Sequence, residues 1–120
     1  MIRMILFSFL SLAGVVAQAE LVCPNGDGSY AISYDGNDLS KVQFTIINAS
    51  GVEDAQGTLL CDGPQESAFL CDGEVSELDA KTLKFTGKKK PIEVVISEST
   101  FQGGVGYIQM GGNFFRCSTK

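Results

Sequence analysis

Apolar residues recur at every second position through much of this chain. Over residues 29–34, Tyr30, Ile32 and Tyr34 share one face. Over 41–47, Val42, Phe44 and Ile46 point one way while Lys41, Gln43 and Thr45 point the other. Ile92, Val94 and Ile96 repeat the pattern over 92–97, and 82–86 repeats it more briefly. A period of two built from β-branched and aromatic residues marks strands half-buried against a core. In 41–47 a slip of one residue would turn the whole apolar set to water, so the register is firmly specified.

Two hairpins are written between these strands. Leu60-Cys61-Asp62-Gly63 and Leu70-Cys71-Asp72-Gly73 repeat one tetrapeptide on either side of a turn-forming run. A three-residue turn at Gln65-Glu66-Ser67 sets Cys61 opposite Cys71 on one face, where a cross-strand disulfide can form; bonding needs Cα atoms within about 7 Å. Leu60 and Leu70 then lie side by side on the other face. The second hairpin has 105–110 and 113–117 about Gly111-Gly112, a pair suited to a type I′ turn with positive φ at both positions. That loop opposes Ile108 to Phe115, Tyr107 to Arg116 and Gly106 to Cys117. Gly106 is expected to leave room for the Cys117 sulfur, and Tyr107 to stack on Arg116. One helical turn is expected over 74–81, where Ser76 to Asp79 resembles a capping box. Residues 23–28, 48–56 and 87–91 read as turns or loops, with Lys88, Lys89 and Lys90 keeping a loop tip wet and guarding an edge.

About eight short strands separated by turn signals predict an all-β, disulfide-stabilised domain. It is read as a small antiparallel meander barrel, with a β-sandwich as the alternative. The residues expected inside are Tyr30, Ile32, Phe44, Ile46, Phe85, Val94 and Phe115. Barrel closure makes the first and last strands neighbours, and Cys23 and Cys117 stand there. The predicted bridges are therefore Cys23–Cys117 and Cys61–Cys71.

The first residues change the picture. Arg3, an apolar run over 5–16 and Ala17-Gln18-Ala19 have the layout of a secretory signal peptide. The run is shorter than the roughly 20 residues that span a bilayer. Residues 1–19 are read as signal peptide and 20–120 as a single β domain, with no membrane anchor after cleavage. Four cysteines in the exported part fit two disulfides and a secreted or periplasmic location. Asn48-Ala49-Ser50 is an N-glycosylation sequon.

Charge and chemistry then narrow the function. The net charge of −5 becomes −6 when Arg3 leaves with the leader. An acidic balance disfavours nucleic acid and anionic membrane and favours a basic partner. The chain has no histidine and no C-x-x-C pair, so neither a zinc site nor acyl transfer with an imidazole base is expected. Asp62 with Asp72, or Glu74 with Glu77, are the conceivable carboxylate pairs, and they read as turn formers. No calcium loop or dinucleotide fingerprint is completed, and no metal or cofactor is expected.

The reading is a non-enzymatic binding or inhibitory domain acting through its surface. Leu60, Leu70, Ile47 and Val95 are apolar residues on outward faces and form the candidate contact surface. The alternatives are a carrier of a small apolar ligand inside the barrel, or a structural component of an envelope or matrix. In layout, with no shared motif, the chain resembles small bacterial inhibitors of host lysozymes. That resemblance implies an acidic exported barrel acting on a basic enzyme. The exported protein is expected to begin at Glu20. Intact-mass measurement of secreted material checks this, and a species retaining the first 19 residues overturns it.

Overall fold

The computed structural model describes residues 18–103 and 105–119. The expected leader lies outside them except for its last two residues. Eight strands form one closed antiparallel barrel in chain order, each paired with the next and the last with the first. They are β1 (Gln18–Pro24), β2 (Ser29–Asp35), β3 (Asp38–Ile47), β4 (Glu53–Gln65), β5 (Ala68–Leu78), β6 (Phe85–Ser97), β7 (Val105–Met110) and β8 (Asn113–Thr119). A short helix, α1 (Glu98–Gly103), joins β6 to β7.

Alternation delivers one side chain in two to the interior. Leu21, Ile32, Phe44, Leu59, Ile96 and Ile108 come from six different strands and are fully buried together. Towards one end, Tyr30 stacks on Phe44 with ring centroids 5.4 Å apart and meets Phe115 edge-on at 5.3 Å. Towards the other, Phe101 of α1 sits edge-on to Tyr34 at 4.8 Å and to Phe69 at 5.1 Å. The Tyr34 hydroxyl donates to the Phe101 carbonyl at 3.4 Å. Burial pushes this phenol above its ordinary pKa, which keeps it a neutral donor.

Two seams of the barrel are thin, and each is reinforced differently. β1 and β8 pair through Leu21↔Thr119 and Val22↔Ser118. The next position in the same register holds the Cys23–Cys117 disulfide, as expected from closure. β6 and β7 pair through Val95↔Gln109 and Ile96↔Ile108. There α1 packs over the gap: Thr100 is fully buried, and its hydroxyl and that of Ser97 both donate to the Tyr107 carbonyl. Gly106 makes this possible. A Cβ there would overlap the Thr100 hydroxyl and come within 3.0 Å of the Thr100 Cα. Gly106 does face Cys117 as predicted, but the space it leaves is taken by the helix rather than by sulfur.

The Cys61–Cys71 bridge also forms between directly opposed residues, by a different route from the one expected. The turn has two residues, Glu66 and Ser67, both at positive φ. Gln65 pairs with Ala68, and a register shift between Asp62 and Gln65 restores Cys61 to its place opposite Cys71. An extra residue in β4 therefore does what an odd turn was expected to do. The Gly111-Gly112 hairpin has the expected turn and register, with φ of 56° and 86°. Tyr107, however, meets the ring of Phe114, edge-on at 5.7 Å, instead of stacking on Arg116.

Other expectations are corrected as well. Residues 18–24 form β1, and the N-terminal turn is confined to Asn25–Gly28, where Asn25 Oδ1 accepts the Gly28 amide at 2.8 Å. The expected helical turn over 74–81 is instead the end of β5; Val75 is fully buried, and pairing with β6 overrides a weak local helix signal. The expected strand 92–97 and the end of the expected strand 82–86 are parts of one strand, β6, while residues 82–84 lie in the connection from β5. Pro91 is tolerated within it because β7 covers only Val95 and Ile96, leaving the edge open at the proline. Phe85 consequently lies outside the barrel and is 60% exposed. The 48–56 loop shortens to a turn organised by Asn48, whose Oδ1 accepts the Ser50 and Val52 amides while its Nδ2 donates to Asp54.

The β5–β6 hairpin extends from the barrel as an arm, and every residue over 79–91 is exposed. Its tip is tightly bonded. Asp79 Oδ1 accepts the amides of Thr82 and Lys81 at 3.0 and 2.8 Å, and its backbone pairs with Lys84 and Leu83. These bonds, the Thr82 amide foremost, hold the Asp79 carboxyl below the usual carboxylate range.

The two disulfides are expected to contribute unequally. The Cys23–Cys117 bridge spans 94 residues and the Cys61–Cys71 bridge spans 10. In the chain-entropy model, C23A/C117A lowers unfolding free energy by about 4–5 kcal/mol and C61A/C71A by about 3 kcal/mol. Urea denaturation of the two variants checks the order. Gly106→Ala is expected to cost about 1–3 kcal/mol by overpacking against Thr100. A melting temperature equal to wild type would refute the role given to that glycine.

Candidate functional site

Buried side chains from the strands meet in the barrel interior, and the candidate contact residues are carried by the outer wall. Register places the candidate residues there. Leu60 and Leu70 point outward from β4 and β5 and are 65% and 48% exposed. They are diagonal neighbours rather than direct partners. Leu60 faces Asp72 on one side and Lys41 on the other, and Leu70 faces Asp62. Each leucine thus has an aspartate across the ladder.

On its other side Leu70 pairs with Val95 of β6, which is half-buried. The row continues through Gln109 of β7 to Phe114 of β8. Adjacent strands lie about 4.8 Å apart, so Leu70 and Phe114 are about 14 Å apart along the sheet. Phe114 is 64% exposed, and Tyr107 beside it is about half exposed. Tyr107, Phe114, Gly106 and Arg116 line one open groove, and Asp62, Glu66, Phe69, Leu70 and Val95 border another.

Ile47 does not join this surface. It ends β3 opposite Glu53, six residues along the strand from Lys41, the neighbour of Leu60. At about 3.3 Å per residue that is roughly 20 Å away. Tyr107 and Phe114 were missing from the sequence-based surface. Their strand was legible, but outward exposure of the pair depends on neighbours that only the closed barrel defines.

The surface has an apolar centre and an acidic rim of Asp62, Glu66, Asp72 and Glu93, all exposed. Arg116 stands at the Phe114 end. Asp62 and Asp72 lie on this open wall, and Glu77 pairs across to Ala55 in the ladder. Asp35 and Asp38 serve turns, accepting the amides of Asn37 and Ser40. Hydrogen bonds from Ser40, side chain first, hold the Asp38 carboxyl below its usual range. Among the described residues, no three Cys, Asp or Glu side chains converge as metal ligands would.

Compared with family models, with curated proteins and with solved structures, the chain finds no match.

Proposed function

We propose that the protein is an exported, non-enzymatic binding or inhibitory domain that acts through the outer wall of β4–β8 on a basic protein. The observation that carries this reading is the row Leu70, Val95 and Phe114, with Leu60 and Tyr107 beside it, bordered by acids. Exposed apolar groups of this extent on a small domain mark contact sites. An apolar centre within a charged rim is the usual plan of a protein interface, with aromatic residues as its anchors. The acidic rim favours cationic partners and speeds their encounter. Export is supported by the leader-like start of the chain and by two disulfides, which oxidising compartments allow to persist. The burial of Phe44, Leu59 and Ile108 in the interior of a barrel this narrow supports a surface-acting domain over a carrier.

The test compares immobilised wild type with L60D/L70D and with F114D. A basic protein retained from the exported fraction by wild type is expected to be lost with both variants. In titrations with that purified partner, L60D/L70D is expected to weaken binding by roughly a hundredfold or more, the scale of two anchor residues. Equal retention by wild type and both variants overturns the assignment of this wall. A basic lysozyme is the first defined probe, and the absence of inhibition at micromolar protein removes the lysozyme-inhibitor version.

A further inference from the structure

The β5–β6 arm carries a charge that the total for the chain conceals. Residues 79–91 hold Lys81, Lys84, Lys88, Lys89 and Lys90 against Asp79 alone, a net +4, which Glu74 and Glu77 on the facing part of β5 reduce to +2 for the whole hairpin. From Glu20 onward, the chain outside 79–91 sets Lys41, Arg116 and Lys120 against thirteen acids, a net −10. The arm also exposes two large apolar groups. Leu78↔Phe85 is the last pair before the turn, so Phe85 and Leu83 lie at the far end. They are 60% and 57% exposed. Leu83 adopts φ 58°, a left-handed conformation that glycine or asparagine takes more readily. The Asp79 hydrogen bonds hold the turn in that form. Lysines that served only to keep an edge wet would not require a leucine and a phenylalanine among them.

We propose that this arm is a peripheral binding site for an anionic lipid surface. Its lysines meet the headgroup phosphates, and Leu83 and Phe85 enter the interface between them. Five lysines in ten residues fall within the cluster size that attracts anionic leaflets. Long lysine stems lie along apolar surface while their ammonium groups stay at headgroup level. Paired cationic and apolar contacts are the two signals that reversible membrane attachment requires. The acidic barrel is repelled by the same surface, so the molecule approaches arm first. This site shares no residue with the wall of β4–β8 proposed as the protein-binding surface, and the two proposals fail separately.

Co-sedimentation of the natively purified, disulfide-intact protein with vesicles tests it. The vesicles are phosphatidylcholine, with and without about one-third phosphatidylglycerol. Binding is expected to the anionic vesicles alone and to weaken as salt rises. K84Q/K88Q/K89Q is expected to lower the partition coefficient by more than about tenfold, each lysine near such a surface contributing roughly fivefold. L83S/F85S is expected to lower it severalfold while salt dependence persists, and L60S/L70S to leave it unchanged. Every altered side chain is exposed, and thermal melts matching wild type confirm that the variants fold. No binding of wild type to anionic vesicles at low salt overturns the proposal, as does equal binding to both vesicle types. So does unchanged binding by K84Q/K88Q/K89Q. Salt-sensitive self-association in place of vesicle binding also overturns it, since the acidic wall of a second copy would then be the arm's partner.

Discussion

Closure of the barrel between β1 and β8 is the constraint on which the other features depend. Two described residue pairs join these strands, and backbone hydrogen bonds contribute about 1 kcal/mol each at best. Against that stands the entropy of holding together two segments more than ninety residues apart in the chain. The Cys23–Cys117 bond removes most of that cost by keeping them close even when the chain unfolds. With the seam shut, Leu21 is fully buried and neither strand presents an unpaired edge there. The β6–β7 seam has equally short pairing and no cysteine. A six-residue helix covers it, with Thr100 packed against a glycine and Phe101 between two aromatic rings. One weak seam is held covalently and the other by packing.

Closure around so small a perimeter also decides which side chains are buried and which face out. An eight-stranded barrel leaves an interior just wide enough for its own side chains or one small ligand. Here Phe44, Leu59, Ile96 and Ile108 fill it. Groups available for recognition are those that alternation sends outward. On β4 and β5 these are leucines and aspartates in a checkerboard, each leucine opposite an acid. On these two strands the acids edge the apolar groups closely, which limits indiscriminate association.

Much of this architecture was legible in the chain, for identifiable reasons. The alternation in 41–47 and 92–97 is long enough to define a face, and the residues concerned are buried. Two consecutive glycines fixed the last hairpin's register. The Cys23–Cys117 pairing followed from closure; the Cys61–Cys71 pairing is as expected although its odd turn is not, because an extra residue in β4 restores the register. What escaped was set by context. β1 alternates through small residues at the boundary of an apolar leader, so its signal merges with the leader. α1 is too short to show a helical period and persists through the contacts of Thr100 and Phe101. β6 contains a glycine and a proline that ordinarily end strands, and only its open edge explains their tolerance. The candidate surface was half legible: parity sends Leu60 and Leu70 outward, but their diagonal placement, the distance to Ile47 and the company of Tyr107 and Phe114 follow from register.

The unbroken course of β6 also changes what the net charge means. Read as a strand and a separate basic loop, residues 82–91 offer local solubility, and the acidic total points away from anionic surfaces. As one strand with β5 beside it, the same residues make a projecting element with its own sign. From Phe85 to the first buried residue, Ile92, β6 advances about 20 Å. The screening length at physiological ionic strength is about 8 Å. Acids farther along the barrel wall are screened from the tip, while Glu74 and Glu77 of β5 lie beside the lysines and offset part of their charge, so a surface approaching the arm meets the lysine excess that remains. A sum over the sequence is the right measure for solubility, and the wrong one for contact where the fold gathers an excess of one sign on a single element.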